Sequence, residues 1–314
     1  MKKWLLCLTV FLTVSLFLTG CGGTEADNNG SSFDKQLKVY TTVYPLKYFT
    51  EEIGGEAVSV DTIYPPGADE HTFEPSQKDM IKLAESDLFI YVGLGLEGFV
   101  EKAKDTLVNE KVTLVAAGDS IHIDEQAVNH AEEENHGHTH GDIDPHVWLD
   151  PIYAKELAES IKNALVEKDP ENEKTYEQNY EALIQKLDEL DSKFSEMAKQ
   201  AGHKEFIVSH AAYGYWEKRY GLKQISISGL STASEPTQKD LESIVKTAKE
   251  TGSNYIFFEQ NVSSKLTEIV KEEIGAEALT LHNLSVLTEA DMKSNRDYFS
   301  IMNDNLEALK KALH

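Results

Sequence analysis

Eleven histidines occur in this chain, and their placement says more than their number. Four of them, His130, His136, His138 and His140, fall in one polar, acidic run, Asn129-His-Ala-Glu-Glu-Glu-Asn-His-Gly-His-Thr-His-Gly-Asp142. Alternating His-x-His beside carboxylates offers the borderline nitrogen donors that zinc, copper and nickel accept. Nothing in that run can pack a core, so a mobile loop is expected, and ordering it around an ion makes binding weak and exchangeable. Three other histidines stand apart. His71 lies in Pro65-Pro-Gly-Ala-Asp-Glu-His-Thr-Phe-Glu-Pro75, His146 in Asp144-Pro-His-Val-Trp-Leu-Asp-Pro151, and His210 in Phe206-Ile-Val-Ser-His-Ala-Ala-Tyr-Gly-Tyr215. Any one alone would more often be a structural histidine with its hydrogen bonds satisfied.

The elements that must position these residues are legible as short apolar runs. Leu37 to Val43, Val58 to Tyr64, Leu88 to Val92 and Val112 to Val115 read as strands separated by helical stretches. Ser76 opens one of those helices, with Asp79 three residues on as a carboxylate form of the capping box. The pattern repeats at Glu205 to Val208, Gln224 to Ile227, Tyr255 to Phe258 and Ala278 to Leu281. The expected fold class is therefore α/β, with two lobes, each a mainly parallel sheet flanked by helices. In such sheets ligands collect beyond the carboxyl ends of the strands. His71 and His210 fit that rule from different lobes and point to a site in the cleft between them.

Between the lobes, apolar residues fall at Tyr176, Tyr180, Leu183, Leu187, Leu190, Phe194 and Met197, alternating steps of four and three with no Gly or Pro inside. One helical stripe of about thirty residues makes a rod on the order of 45 Å long. A helix pair or a coiled-coil dimer would carry the same stripe. Glu177, Lys186, Asp188 and Lys193 are expected to form its solvated face.

Thirty Lys+Arg against 54 Asp+Glu give a formal net charge of −24. Nucleic acid is thereby disfavoured as a partner, as is broad contact with anionic lipid. The amino terminus reads as a targeting segment: Lys2 and Lys3, an apolar stretch from Trp4 to Leu18, then Leu18-Thr19-Gly20-Cys21. The last four residues resemble a bacterial lipobox, which implies cleavage before Cys21 and lipid attachment to it. Cys7 and Cys21 are the only cysteines, so the cleaved chain keeps one, and neither a disulfide nor a thiolate zinc site is possible.

Taken together, four motifs resemble the zinc/manganese solute-binding lipoproteins of bacterial ABC transporters. They are Pro66-Gly-x-x-x-His71-x-x-Glu-Pro75, Asp144-Pro-His-Val-Trp-Leu-Asp-Pro151, Ser209-His-Ala-Ala-Tyr-Gly-Tyr215 and Tyr255-Ile-Phe-Phe-Glu-Gln-Asn-Val-Ser-Ser-Lys265. The resemblance covers nearly the whole mature chain, from Lys38 to Leu306. It implies two α/β lobes joined by one long helix, and metal ligands at His71 and His146. The third ligand is His in zinc-type members and Glu in manganese-type members; here it is His210. The His-rich insert before His146 is also characteristic of zinc-type members. A fourth ligand, usually Asp or Glu, falls on Ser285, so this chain departs from the pattern. Water is the expected replacement, ahead of His282, Glu259 and Glu70; for Glu259 and Glu70 structural hydrogen bonds are expected.

These readings imply extracellular capture of Zn²⁺ and delivery to a membrane permease by a lipid-anchored monomer on the outer face of the cell membrane. Manganese is the rival cargo. A secreted zinc hydrolase is the rival activity, against which stands the lack of any His-Glu-x-x-His, and no enzyme activity is expected. Adhesion through the anchored chain is a third role. The expected division is a signal peptide at 1–20, a tether at 21–33 and an N-terminal lobe at 34–168 with its His-rich loop at 129–142. A linking helix at 169–202 and a C-terminal lobe at 203–314 complete it.

Overall fold

Apolar residues in runs of four or five are too short for helices and fit strands buried on both faces. The computed structural model describes residues 36–123, 143–234, 236–260 and 264–314. The targeting segment, Cys21, and His130, His136, His138 and His140 lie outside the described residues.

The first half builds β1 (Leu37–Thr41), α1 (Tyr44–Gly54), β2 (Val58–Thr62), α2 (Gln77–Ala84), β3 (Leu88–Tyr91), α3 (Val100–Leu107) and β4 (Thr113–Ala116). Helices α4 (Pro151–Lys168) and α5 (Glu173–Gln200) follow. The second half builds β5 (Glu205–Val208), α6 (Gly214–Tyr220), β6 (Lys223–Ser226), α7 (Gln238–Thr251), β7 (Tyr255–Phe258), α8 (Lys265–Ile274), β8 (Glu277–Thr280), α9 (Glu289–Lys293) and α10 (Tyr298–Leu313). The two four-stranded sheets are parallel throughout and share one order, β2-β1-β3-β4 and β6-β5-β7-β8. In both, the chain reverses its direction of travel across the sheet at the central pair, β1/β3 and β5/β7. That switch opens a crevice at the strands' carboxyl ends.

Several boundaries differ from the sequence expectation. The first strand stops at Thr41 rather than Val43, because Pro45 sits in the opening turn of α1, where its fixed φ suits a helix start. The second stops at Thr62, two residues early. Ser76 and Asp79 do form a reciprocal capping box on α2.

Helix α5 is a single rod of 28 residues, about 42 Å at 1.5 Å per residue. Six of its seven stripe residues are buried, and Tyr180 is half-buried. Its outer charges are not all free: Lys186 reaches Glu52 of α1 at 2.7 Å, and Asp188 takes Lys155 of α4 at 2.6 Å. Such exposed pairs contribute at most about 1 kcal/mol each, so the buried stripe dominates the packing. The carboxyl-terminal helix returns to the first half, where Tyr298 packs edge-on to Phe49 at 4.9 Å and stacks on Tyr48 at 6.2 Å. One core cluster runs from β1 and β3 through α5 to Phe206, Trp216 and Leu313. A smaller one, Ile207, Ile225, Ile227, Ala248, Ile256 and Val270, lies on the other face of the second sheet. Among the described residues, no helix is long and apolar enough to cross a membrane.

One buried carboxylate holds the first crevice in shape. Glu97 Oε1 accepts from the Thr42 hydroxyl at 2.7 Å and the Val92 N–H at 2.8 Å, and Oε2 accepts from the Gly93 N–H at 2.9 Å. These contacts tie the ends of β1 and β3 across a tight Gly93-Leu94-Gly95 turn, in which all three residues have positive φ. Burial pushes the Glu97 carboxyl up from 4.5 to about 7, although these three donors favour its charged form. Between those pH values the folded chain holds a proton that the unfolded chain has released. Stability is therefore greatest below the lower value and falls as pH rises through the upper one. Replacing Glu97 with Gln should remove that component, on the order of 3 kcal/mol between pH 4 and 8. Denaturant titrations of both chains at the two pH values check it; a difference between them that is independent of pH would contradict it.

Candidate metal centre

Three loops at the carboxyl ends of strands converge in the cleft. His71 comes from the loop after β2, where Asp69 Oδ1 accepts from the N–H groups of His71 and Thr72 at 2.9 and 3.2 Å and fixes the turn. Phe73 anchors the same turn edge-on to Tyr64, at 5.0 Å between ring centroids. Asp69 also accepts from the Thr232 hydroxyl of the second half, joining the lobes beside the site.

His146 precedes a 3₁₀ turn, Val147–Leu149, that leads into α4. Its segment is fastened from several sides. Trp216 Nε1 donates to the Leu149 carbonyl at 2.8 Å, the Tyr298 hydroxyl to the Trp148 carbonyl at 2.7 Å, and the Tyr215 hydroxyl to the Asp144 carbonyl. Asp150 caps α4 through the N–H groups of Ile152 and Tyr153 and pairs with Arg219. His210 lies two residues past the end of β5, beside Glu259, which directly follows the neighbouring strand β7.

These side chains meet. One ligand atom each from Glu70, His71, His146 and His210 lies within 4.8 Å of all the others. His146 and His210 are fully buried, and Glu70 is 4% exposed. The orientation of two imidazoles is fixed from behind: His146 Nδ1–H donates to Asp144 Oδ1 at 2.8 Å, and His210 Nδ1–H donates to Glu259. The two Nε2 atoms then face each other at 3.4 Å. Two acceptors at that distance oppose one another unless a proton or a metal ion lies between them. The spacing matches a zinc tetrahedron, whose edges are about 3.3–3.4 Å for bonds of 2.0–2.1 Å. His71 Nε2 is buried without a hydrogen-bond partner and lies 4.0 Å from Glu70 Oε1.

Burial and then the neighbouring imidazoles of His146 and His210 pull His71 down to about 3, so it is neutral and free to ligate near pH 7. Burial also pulls at His210, but the Glu259 carboxylate outweighs it, and the net direction is up. Glu70 is raised, chiefly by burial. Three imidazoles beside one carboxylate make a donor set that favours a small cation of borderline character.

The candidates for the fourth position separate clearly. His282 is committed elsewhere: its Nδ1 accepts from the Leu284 N–H at 2.9 Å, and its Nε2 faces Asp291 at 3.3 Å. Burial holds it down at about 4. The Ser285 hydroxyl donates to Asn283 Oδ1 at 2.9 Å. Glu259 makes the structural bond expected of it, to His210. Glu70, for which the same was expected, also makes such a bond, accepting from Asn283 Nδ2 at 3.0 Å, and its carboxylate lies in the cluster as well. Sequence reasoning gave no role to Asp144, although an aspartate two residues before a histidine is the spacing that lets one carboxylate hold both the backbone N–H and Nδ1. It passed over Asn283 altogether.

The chain is matched over residues 39–312 by the family model for ZnuA, zinc-uptake complex component A, periplasmic. It is 36% identical to the high-affinity zinc uptake system protein ZnuA of Bacillus subtilis, over 99% of this chain and 98% of that one. It is 37% identical to the zinc-binding lipoprotein AdcA of Streptococcus pneumoniae, over 99% of this chain but only 61% of AdcA's own length. The crystal structure of the Zn(II)-bound ZnuA-like domain of that pneumococcal AdcA superposes with a TM-score of 0.75 at 35% identity, covering 89% of this chain and 99% of the domain.

Proposed function

This chain belongs to the family of ZnuA, zinc-uptake complex component A, and on that premise we propose that it captures Zn²⁺ outside the cell and hands it to the permease of an ABC transporter. The single observation that carries this reading is the facing pair of Nε2 atoms of His146 and His210, 3.4 Å apart, with both Nδ1 atoms committed to carboxylates and Glu70 and His71 beside them. The ligands we assign are His71, His146 and His210, with Glu70 in the fourth position where water was first expected. Three imidazole nitrogens and one oxygen suit zinc, whereas manganese takes more oxygen ligands. The protein acts as a carrier, not an enzyme: the ion is cargo, and the carboxylates behind the histidines orient ligands.

The same reading includes a lipid anchor at Cys21 after removal of residues 1–20, a monomer on the outer face of the membrane, and lobes at 34–168 and 203–314 joined by 169–202. The mainly acidic surface raises the local concentration of cations. His130, His136, His138 and His140 act as an accessory collector that feeds the cleft. What supports a carrier with limited motion is the stiffness of α5, a continuous 28-residue helix between the lobes.

Chelator competition on residues 34–314 tests the assignment. His210→Ala should weaken zinc binding on the order of a hundredfold or more, since it removes a ligand and not merely its support. An unchanged affinity would remove His210 from the site. Deleting residues 129–142 should leave one tight zinc ion per chain; loss of tight binding would move the site into that segment.

A further inference from the structure

Asn283 lies in the loop after β8, and both its side-chain polar atoms and its carbonyl are occupied. Its Oδ1 accepts from the Ser285 N–H at 3.0 Å and from the Ser285 hydroxyl at 2.9 Å. Its Nδ2 donates to Glu70 Oε1 at 3.0 Å and to Glu259 Oε2 at 3.1 Å. Its carbonyl accepts from Trp148 Nε1 at 2.6 Å. The amide cannot be turned over without loss, because the Ser285 N–H can only donate and must meet the amide oxygen. The loop is held tightly enough that Leu284, fully buried, stands at a φ of 61°, a conformation costly for a leucine.

One amide thus bridges a carboxylate of the first lobe and a carboxylate of the second, on either side of the histidine cluster. The Glu70 oxygen it holds is the one 4.0 Å from His71 Nε2. The Glu259 oxygen it holds is the one not engaged with His210. We propose that Asn283 is a specificity-determining positioning residue: it pins Glu70 and Glu259 so that the first offers the metal a single oxygen and the second none.

The chemistry follows from ligand count. Zinc is content with four ligands, three imidazoles and one oxygen here, whereas manganese gains from further oxygens and a higher coordination number. Two carboxylates free to swing would supply them, either as a bidentate Glu70 or through Glu259. By tying one oxygen of each to a shared donor, Asn283 keeps the oxygen count low. Ser285, which occupies the position where a carboxylate ligand was expected, fixes the amide instead of ligating.

This inference rests on the zinc-capture reading, so the experiment separates the two. Wild type, Asn283→Asp and Asn283→Ala are compared in chelator competition with Zn²⁺ and Mn²⁺, and each is loaded with Co²⁺ for its d–d absorption. Asp keeps the acceptor for Ser285 but replaces the donor with a third carboxylate; Ala removes the donor without adding charge and carries the comparison if the Asp chain does not fold. The zinc-to-manganese affinity ratio should fall about tenfold or more in the variants, and the strong Co²⁺ band of a tetrahedral site should weaken as coordination rises. An unchanged ratio and an unchanged band would overturn the inference. So would an equal loss of both affinities with the band intact, which marks a merely structural residue. Failure of the wild-type chain to bind zinc would overturn the capture reading instead.

Discussion

The structure turns on two imidazoles whose back nitrogens are already used. Once Asp144 holds Nδ1–H of His146 and Glu259 holds Nδ1–H of His210, the two Nε2 atoms are left facing each other across 3.4 Å of buried space, where two lone pairs oppose one another unless a proton or a metal ion lies between them. An interior polar group without a partner is costly, and two facing acceptors are worse than one. The site therefore stores an unfavourable arrangement that a proton or a cation relieves, and the adjacent His71 and Glu70 favour the cation. Pre-organisation of this kind leaves little to be ordered when the ion arrives.

Holding such an arrangement requires rigid surroundings, and the fold supplies them at each ligand. His210 and Glu259 follow adjacent parallel strands, so the register of β5 on β7 sets their contact. His146 stands on a segment fastened by Trp216, Tyr215 and Tyr298, which bring in α6 and α10. Helix α5 runs beside both halves, and the aromatic contacts of Tyr298 with Tyr48 and Phe49 close the end of the chain onto its beginning. Glu97 does for the mouth of the first sheet what the histidine-backing carboxylates do for the cleft.

Much of this was legible in the sequence because it depends on local periodicity. The four-three stripe from Tyr176 to Met197 gave one long helix, and its alternatives of a helix pair or a coiled coil fell away because those same residues pack within the chain against other helices. Strand cores at Glu205–Val208 and Tyr255–Phe258 were right to the residue, whereas Leu37–Thr41 was overrun by two positions because an apolar run continues into a helix start. What escaped is what depends on distant contacts. Glu70 turns into the cluster in company with an amide 213 residues away, and no spacing rule reports that. His282 sits beside the right loop but is consumed by Asp291 and a backbone N–H, a fact decided by α9. The four histidines from His130 to His140 fall outside the described residues, and their role rests on composition.

X-ray absorption at the zinc edge of the loaded chain measures the central claim most directly. The account predicts a four-coordinate ion with three imidazole nitrogens and one oxygen, all at about 2.0–2.2 Å. A shell with fewer than three imidazoles, or a six-coordinate shell dominated by oxygen, would contradict it.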